Sequence, residues 1–279
     1  MLRPGSTLWL LAHELRLWRR RFGGRMAGGK AALWISVGGV MILTFAAGVP
    51  LGLFLRGVEI AVTPGAVIVS LAALVMVFTL MLSQTLDAST EALYQRADLD
   101  LLFSSPLDPR KVLTVRFLAV ALQVFAGFSA FIAPFLLPVA ILGHWRWLGG
   151  FVVLASLALA TTALGLALAM ALFAVIGPRR TRTVAQVMAA MIGAGLFLAL
   201  QARNLLGGAR TGSVVNDLMR VASDPGLHPP PLADLPLRAA MGEPGPLAAV
   251  AVLAIAAFGW TSRSLGRRFA ADAAAASGA

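Results

Sequence analysis

The chain contains no cysteine in its 279 residues. This absence excludes disulfide bonds, thiolate metal sites and cysteine nucleophiles. Charged residues are also scarce: they make up 13% of the sequence, against about a quarter in soluble domains. Hydrophobic residues make up 59%, and the mean hydropathy is +0.85. This composition excludes a large soluble domain and predicts an integral membrane protein.

Histidine is rare too, and His13, His144 and His228 lie in three separate polar segments. No cluster of metal ligands, Ser-His-Asp set or carboxylate pair is evident, so we predict no metal, no cofactor and no catalysis by this chain. The segment 24–30 has the glycine and lysine spacing of a phosphate-binding loop. However, Ala31 stands where a Ser or Thr is needed, and no strand precedes the segment.

Long apolar runs are abundant, and each can cross the roughly 30 Å hydrocarbon core of a membrane as a helix. We therefore predict an all-α membrane protein with a single transmembrane domain over residues 1–279. About six spans are predicted, at 31–55, 64–86, 112–142, 149–176, 184–202 and 246–262. Pro134 and Pro138 predict kinks in the third, and the alanine-rich tail 270–279 predicts a disordered end.

Residues 5–22 predict an amphipathic helix before the first span. Leu11 and Leu15 fall on one face, and His13, Arg16 and Arg20 on the other. A basic helix with an apolar face rich in aromatic residues is expected to lie in the membrane interface, in contact with lipid.

The distribution of basic residues predicts the orientation. If the N-terminus is inside, 17 of the 23 Lys and Arg residues fall in or beside inside segments, so the positive-inside rule places both termini in the cytoplasm. The net charge of +11 is concentrated at the ends of apolar runs, which favours membrane lipid over nucleic acid as its partner. Abundant arginine and alanine indicate a bacterial source, hence the inner membrane.

Two polar connections are long: 203–245, predicted outside, and 87–111, predicted inside. The second holds five of the 12 acidic residues. Asp98 and Asp100 can stabilise the first turn of a short helix, which Pro106 ends and whose apolar centre, Leu101-Leu102-Phe103, requires burial. The alternative is an ordinary hydrated loop whose carboxylates cap helices.

This loop carries a family resemblance. Arg96, the pair Leu99-Asp100, the pair Leu101-Leu102 and the pair Pro106-Leu107 follow one another at fixed spacing, with Leu113 and Arg116 beyond them. The pattern resembles the cytoplasmic coupling region of permease subunits of type II ABC exporters. Asp100 stands where that family more often has Glu, and Ala97-Asp98 where it often has Gly-Thr.

The resemblance implies that a separate ABC-type ATPase docks on a short coupling helix in this loop, and that a second permease half, identical or different, completes the transporter. The implied docking residues are Arg96, Asp98, Asp100, Leu102, Phe103, Pro106, Asp108 and Arg110. This chain can also be one half of a longer permease. Two alternatives stay open: a carrier or channel that works alone on an ion gradient, and a membrane scaffold that transports nothing.

Overall fold

The fold is given by a computed structural model. It describes residues 9–13, 15–16, 30–57, 61–94, 109–176, 183–184, 186–195, 198, 220, 222–224, 226, 229–230 and 232–277. All regular secondary structure in these residues is helical.

Seven helices organise the described part of the chain. They are α1 (Lys30–Leu55), α2 (Pro64–Tyr94), α3 (Pro109–Leu142), α4 (Gly149–Ile176), α5 (Gln186–Gly195), α6 (Leu235–Ala240) and α7 (Pro244–Ser277). A single turn of 3-10 helix, Trp145–Leu148, joins α3 to α4.

Four of these helices contain a stretch long and apolar enough to cross a membrane, namely Pro64–Ser89, Val112–Leu142, Trp145–Leu172 and Pro244–Ser264. This finding confirms the all-helical fold and supports a multi-pass membrane protein. Two shorter apolar helical stretches, Met41–Leu55 and Gln186–Gly195, lie where the first and fifth spans are predicted.

Helix α4 is at the centre of the bundle. It packs against α2, α3, α6 and α7. In its most apolar stretch 56% of the residues are buried, against 11% in the corresponding stretch of α2. Helix α1 is peripheral, because α3 is the only described helix against which it packs extensively. The four helices around α4 thus bury much of its surface. Many large apolar side chains on the described helices are exposed, as expected of helices that contact lipid.

Two helix ends differ from the sequence prediction. Helix α2 continues to Tyr94, so Asp87 and Glu91, predicted to lie in the loop, are helical. Helix α7 continues to Ser277 through the alanine-rich tail that predicts disorder. Alanine has the highest helix propensity, which accounts for the second difference. Helix α3 begins at Pro109, which confirms the predicted proline in the first helical position.

One end of the bundle is closed by the 3-10 turn and α6, and we call it the cap end. Here Gly242 has a φ of +77° and lies against the main-chain carbonyl of Arg146. A β-carbon on Gly149 would stand 2.5 Å from the carbonyl oxygen of Ala239. Glycine at both positions therefore lets the chain before α7 pack directly on the start of α4.

The N-terminal residues 9–13 and 15–16 are helical, as predicted. Trp9, His13 and Arg16 are exposed, whereas Leu11 and Leu15 are partly covered. The Trp9 and His13 rings stack with their centroids 5.8 Å apart. This segment therefore has the two faces that the sequence predicts.

Candidate functional site

The candidate site lies at the end of the bundle opposite the cap, where residues 95–108 join α2 to α3. We call this the linker end. Seven of the eight predicted docking residues lie between α2 and α3, outside the described residues: Arg96, Asp98, Asp100, Leu102, Phe103, Pro106 and Asp108. Arg110 lies in the first turn of α3, and its side chain is also outside the described part. What the structure describes is therefore the framework to which the predicted docking segment, residues 95–108, is attached.

The beginning of α3 is enclosed by its neighbours. Val112, Leu113, Val115, Arg116 and Phe117 are all buried, although a helix at the edge of a bundle buries only one face. Thr114 and Leu118 are half-buried, so the described side chains from Val112 to Leu118 are covered on most of the helix surface and none of them is exposed.

An apolar cluster fixes this part of α3 to two other helices. It comprises Leu113 and Phe117 of α3, Ala163, Leu166 and Ala169 of α4, and Phe258 of α7. Phe117 is 1% exposed and Ala169 is fully buried. Interiors this closely packed transmit displacement, because a shift of one side chain meets another at once. We call these six residues the linker-end cluster.

Helices α2 and α4 touch at a position where a side chain is missing. A β-carbon on Gly165 would stand 3.1 Å from the Thr85 hydroxyl oxygen. Thr85 is fully buried, and its hydroxyl lies within hydrogen-bonding distance of two main-chain carbonyls, that of Leu82 at 3.0 Å and that of Thr161 at 3.3 Å. The contact with Thr161 joins two helices through a buried polar group, as is typical of small residues in membrane helices.

The neighbouring hydroxyls of α4 are satisfied within their own helix. Thr161 donates to the carbonyl of Leu157 at 2.9 Å, and Thr162 donates to that of Ala158 at 2.7 Å. One turn beyond Thr85, the fully buried Ser89 hydroxyl has no hydrogen-bond partner in the described part of the chain. A buried hydroxyl without a partner costs free energy, so Ser89 is a weak point at the end of α2.

Helix α5 packs against the same end of α2. The Ser83 hydroxyl donates to the carbonyl of Ala189 at 2.7 Å, and Leu86 and Ala189 form a buried apolar contact. The end of α2 is therefore held by α4 on one side and by α5 on another, just before residues 95–108.

Two polar residues at this end lie in surroundings that the sequence does not predict. Arg116, one of the basic residues that the positive-inside rule expects beside an inside segment, is only 8% exposed. Gln84 was not singled out, yet it is exposed on α2 well before the end of its span. The signal that could have found Gln84 is its carboxamide, which stands inside the apolar run predicted as the span 64–86.

No group of three His, Asp or Glu side chains that could hold a metal ion occurs among the described residues. The described part of the site consists of closely packed apolar side chains and of hydroxyls that contact main-chain carbonyls of neighbouring helices. Such contacts can pass a displacement from one helix to another. Comparison with known proteins adds no assignment, because no family model, no curated protein and no solved structure matches the chain.

Proposed function

We propose that this chain is the membrane subunit of an ATP-driven exporter, and that a separate ATPase acts on it through residues 95–108. Hydrolysis belongs to that partner, and this chain supplies the path through the membrane together with a second permease half. The observation that carries the proposal is the enclosed start of α3, which follows the docking segment directly at Pro109.

The mechanical argument runs from the segment into the bundle. Pro106 and Pro109 restrict the backbone where the segment meets α3. Because the backbone bends little there, a displacement of the segment would also displace the start of α3. The linker-end cluster connects α3 to α4 and α7, so these helices would be displaced too. Helices α4 and α7 would then move together with α3, which is how motion of a docked ATPase would change the path.

The resemblance assigns the docking contacts. Arg96, Asp98 and Asp100 would make the polar contacts with the ATPase, and Leu102 and Phe103 would be buried in it. An apolar anchor flanked by charged residues is the usual composition of a specific protein contact. Asp108 and Arg110 would lie at the edge of the contact, next to the start of α3.

In this proposal the chain lies in the inner membrane of a bacterium, and the linker end faces the cytoplasm. The distribution of basic residues supports this orientation.

Affinity purification of the full chain from its host tests the proposal. An ATPase with a phosphate-binding loop should co-purify, and Asp100→Lys should reduce its recovery while the chain stays in the membrane. Asp224→Lys, a matched charge reversal at an exposed residue outside the docking segment, should leave recovery unchanged. Equal ATPase recovery from the wild-type chain and Asp100→Lys would refute docking at this segment, and ion-driven transport by the purified chain alone would favour the competing carrier function.

A further inference from the structure

Helix α2 carries an exposed stripe with an unexpected composition. Its members are Ala73, Met76, Leu80 and Gln84, spaced by three, four and four residues. This spacing places them along one side of a helix. Thr85, which contacts α4, is fully buried, and Ser83, which bonds to α5, is half-buried. The stripe is therefore the part of α2 that these two helices leave uncovered.

Gln84 is the residue that makes the stripe unusual. In the four described spans, the other exposed polar side chains, Asp87, Arg146 and Arg263, lie within two residues of a span end. Gln84 lies five residues before the end of its span at Ser89, which corresponds to about 7.5 Å at the rise of an α-helix. It is therefore the exposed polar side chain that lies deepest in the described spans.

Lipid is a poor environment for this side chain. Burying an amide in hydrocarbon without a hydrogen bond costs several kcal/mol, roughly 4 to 8 in the least polar reference solvents. The exposed faces of α1 and α7 show the contrast, because large exposed side chains there such as Ile42, Phe54 and Leu253 are purely apolar. The stripe therefore has the composition of a surface that meets another polar group inside the membrane.

We infer that the stripe is a contact between two copies of this chain, in which the two Gln84 side chains hydrogen-bond to each other. Two copies inserted in the same orientation are related by a two-fold axis along the membrane normal, so each residue near the axis meets its own equivalent at the same depth. A carboxamide both donates and accepts, which makes it complementary to itself.

The rest of the stripe fits the same contact. Ala73 is small enough to let two backbones approach, as small residues do between membrane helices. Met76 and Leu80 lie between Ala73 and Gln84 and would supply the packing. Asp87 lies one turn beyond Gln84, close enough to the end of the span for its charge to stay in the polar boundary.

This inference identifies the second permease half as another copy of this chain. It rests on the proposed function only in giving the dimer that role. The absence of cysteine makes a direct test possible, because a disulfide between two copies of the chain can then form only between the introduced cysteine and its own equivalent. Leu80→Cys and Gln84→Cys would be oxidised in native membranes, with Val75→Cys as the control. Val75 is 60% exposed but lies on a different side of α2.

We expect disulfide-linked dimers from Leu80→Cys and Gln84→Cys and almost none from Val75→Cys, because a disulfide needs β-carbons about 3.5 to 4.5 Å apart. Gln84→Leu should weaken self-association about threefold, the effect of an average hydrogen bond between membrane helices. Gln84→Asn should retain part of the affinity.

Three results would overturn the inference. Equal cross-linking from all three positions would indicate random collision. Labelling of Gln84→Cys by a membrane-impermeant maleimide, without dimers, would place the stripe on a water-filled path. Neither labelling nor dimers would place it in lipid. Cross-linking in the Asp100→Lys background separates the two proposals, because loss of ATPase docking alone leaves the dimer intact.

Discussion

Gly48 of α1 packs directly against the main-chain carbonyl oxygen of Pro134 in α3. That carbonyl lacks its usual helix donor, because the residue four positions later is Pro138, which has no N–H. One turn further on, a β-carbon on Gly52 would stand 2.9 Å from the carbonyl oxygen of Pro138. The two prolines of α3 and the two glycines of α1 therefore form one close contact, and it holds the peripheral helix in place.

We predict that Gly48→Ala separates α1 from α3 and lowers the free energy of unfolding by about 1 to 3 kcal/mol, as overpacking does. A backbone oxygen cannot move aside without moving the helix. Gly127→Ala is the control, because nothing lies within 4 Å of a β-carbon there. It should be neutral or slightly stabilising. SDS titration of the purified chain in mixed micelles measures both, and equal values for the two variants would contradict the contact.

Thr85→Val is predicted to weaken the junction of α2 and α4 by roughly 0.6 kcal/mol, because it removes the hydroxyl that contacts the carbonyl of Thr161 and keeps the side-chain shape. Thr79→Val is the matched control, since the Thr79 hydroxyl bonds at 2.7 Å to the carbonyl of Val75 in its own helix. The same titration should show a greater loss for Thr85→Val, and a greater loss for Thr79→Val would argue against the inter-helix bond.

For Ser89→Ala we predict the opposite sign. The buried hydroxyl has no partner in the described part of the chain, so its removal should raise the free energy of unfolding by about 1 kcal/mol. Ser70→Ala serves for comparison, because the Ser70 hydroxyl donates to the carbonyl of Val67 at 2.7 Å, and it should not stabilise. A loss of stability in Ser89→Ala would mean that this hydroxyl is paired in the membrane.

The proposed orientation predicts which residues can be labelled from outside the cell. Asp224→Cys should react with an impermeant maleimide in intact cells, and Arg263→Cys should react only after permeabilisation. Both positions are exposed, and no native cysteine contributes background. The reverse pattern of labelling would invert the topology and place the 95–108 segment outside.

The sequence predicts where apolar helices lie because long apolar runs have few other uses in a membrane protein. It misses where α2 ends, since the change from apolar to polar residues at Asp87 marks only the end of the apolar run, and the helix itself continues to Tyr94. A helix that projects into water keeps its hydrogen bonds, so composition there does not mark its end.

The sequence predicts the contacts between helices less well than the positions of the helices. The spans are apolar on all sides, so spacing alone does not say that Gly165 faces Thr85 or that Arg116 is buried. The docking residues are a different case, because family resemblance alone assigns them and all but Arg110 lie outside the described residues.

The most direct measurement of the central claim is photo-cross-linking in the host cell from a benzoylphenylalanine placed at Phe103, with Trp145 at the cap end as the control position. The Trp145 side chain is 72% exposed, so it can reach any partner on that side. The account predicts that the Phe103 position captures an ATPase with a phosphate-binding loop and that the Trp145 position does not. Capture of lipid alone at Phe103, or of the same ATPase from both positions, would contradict it.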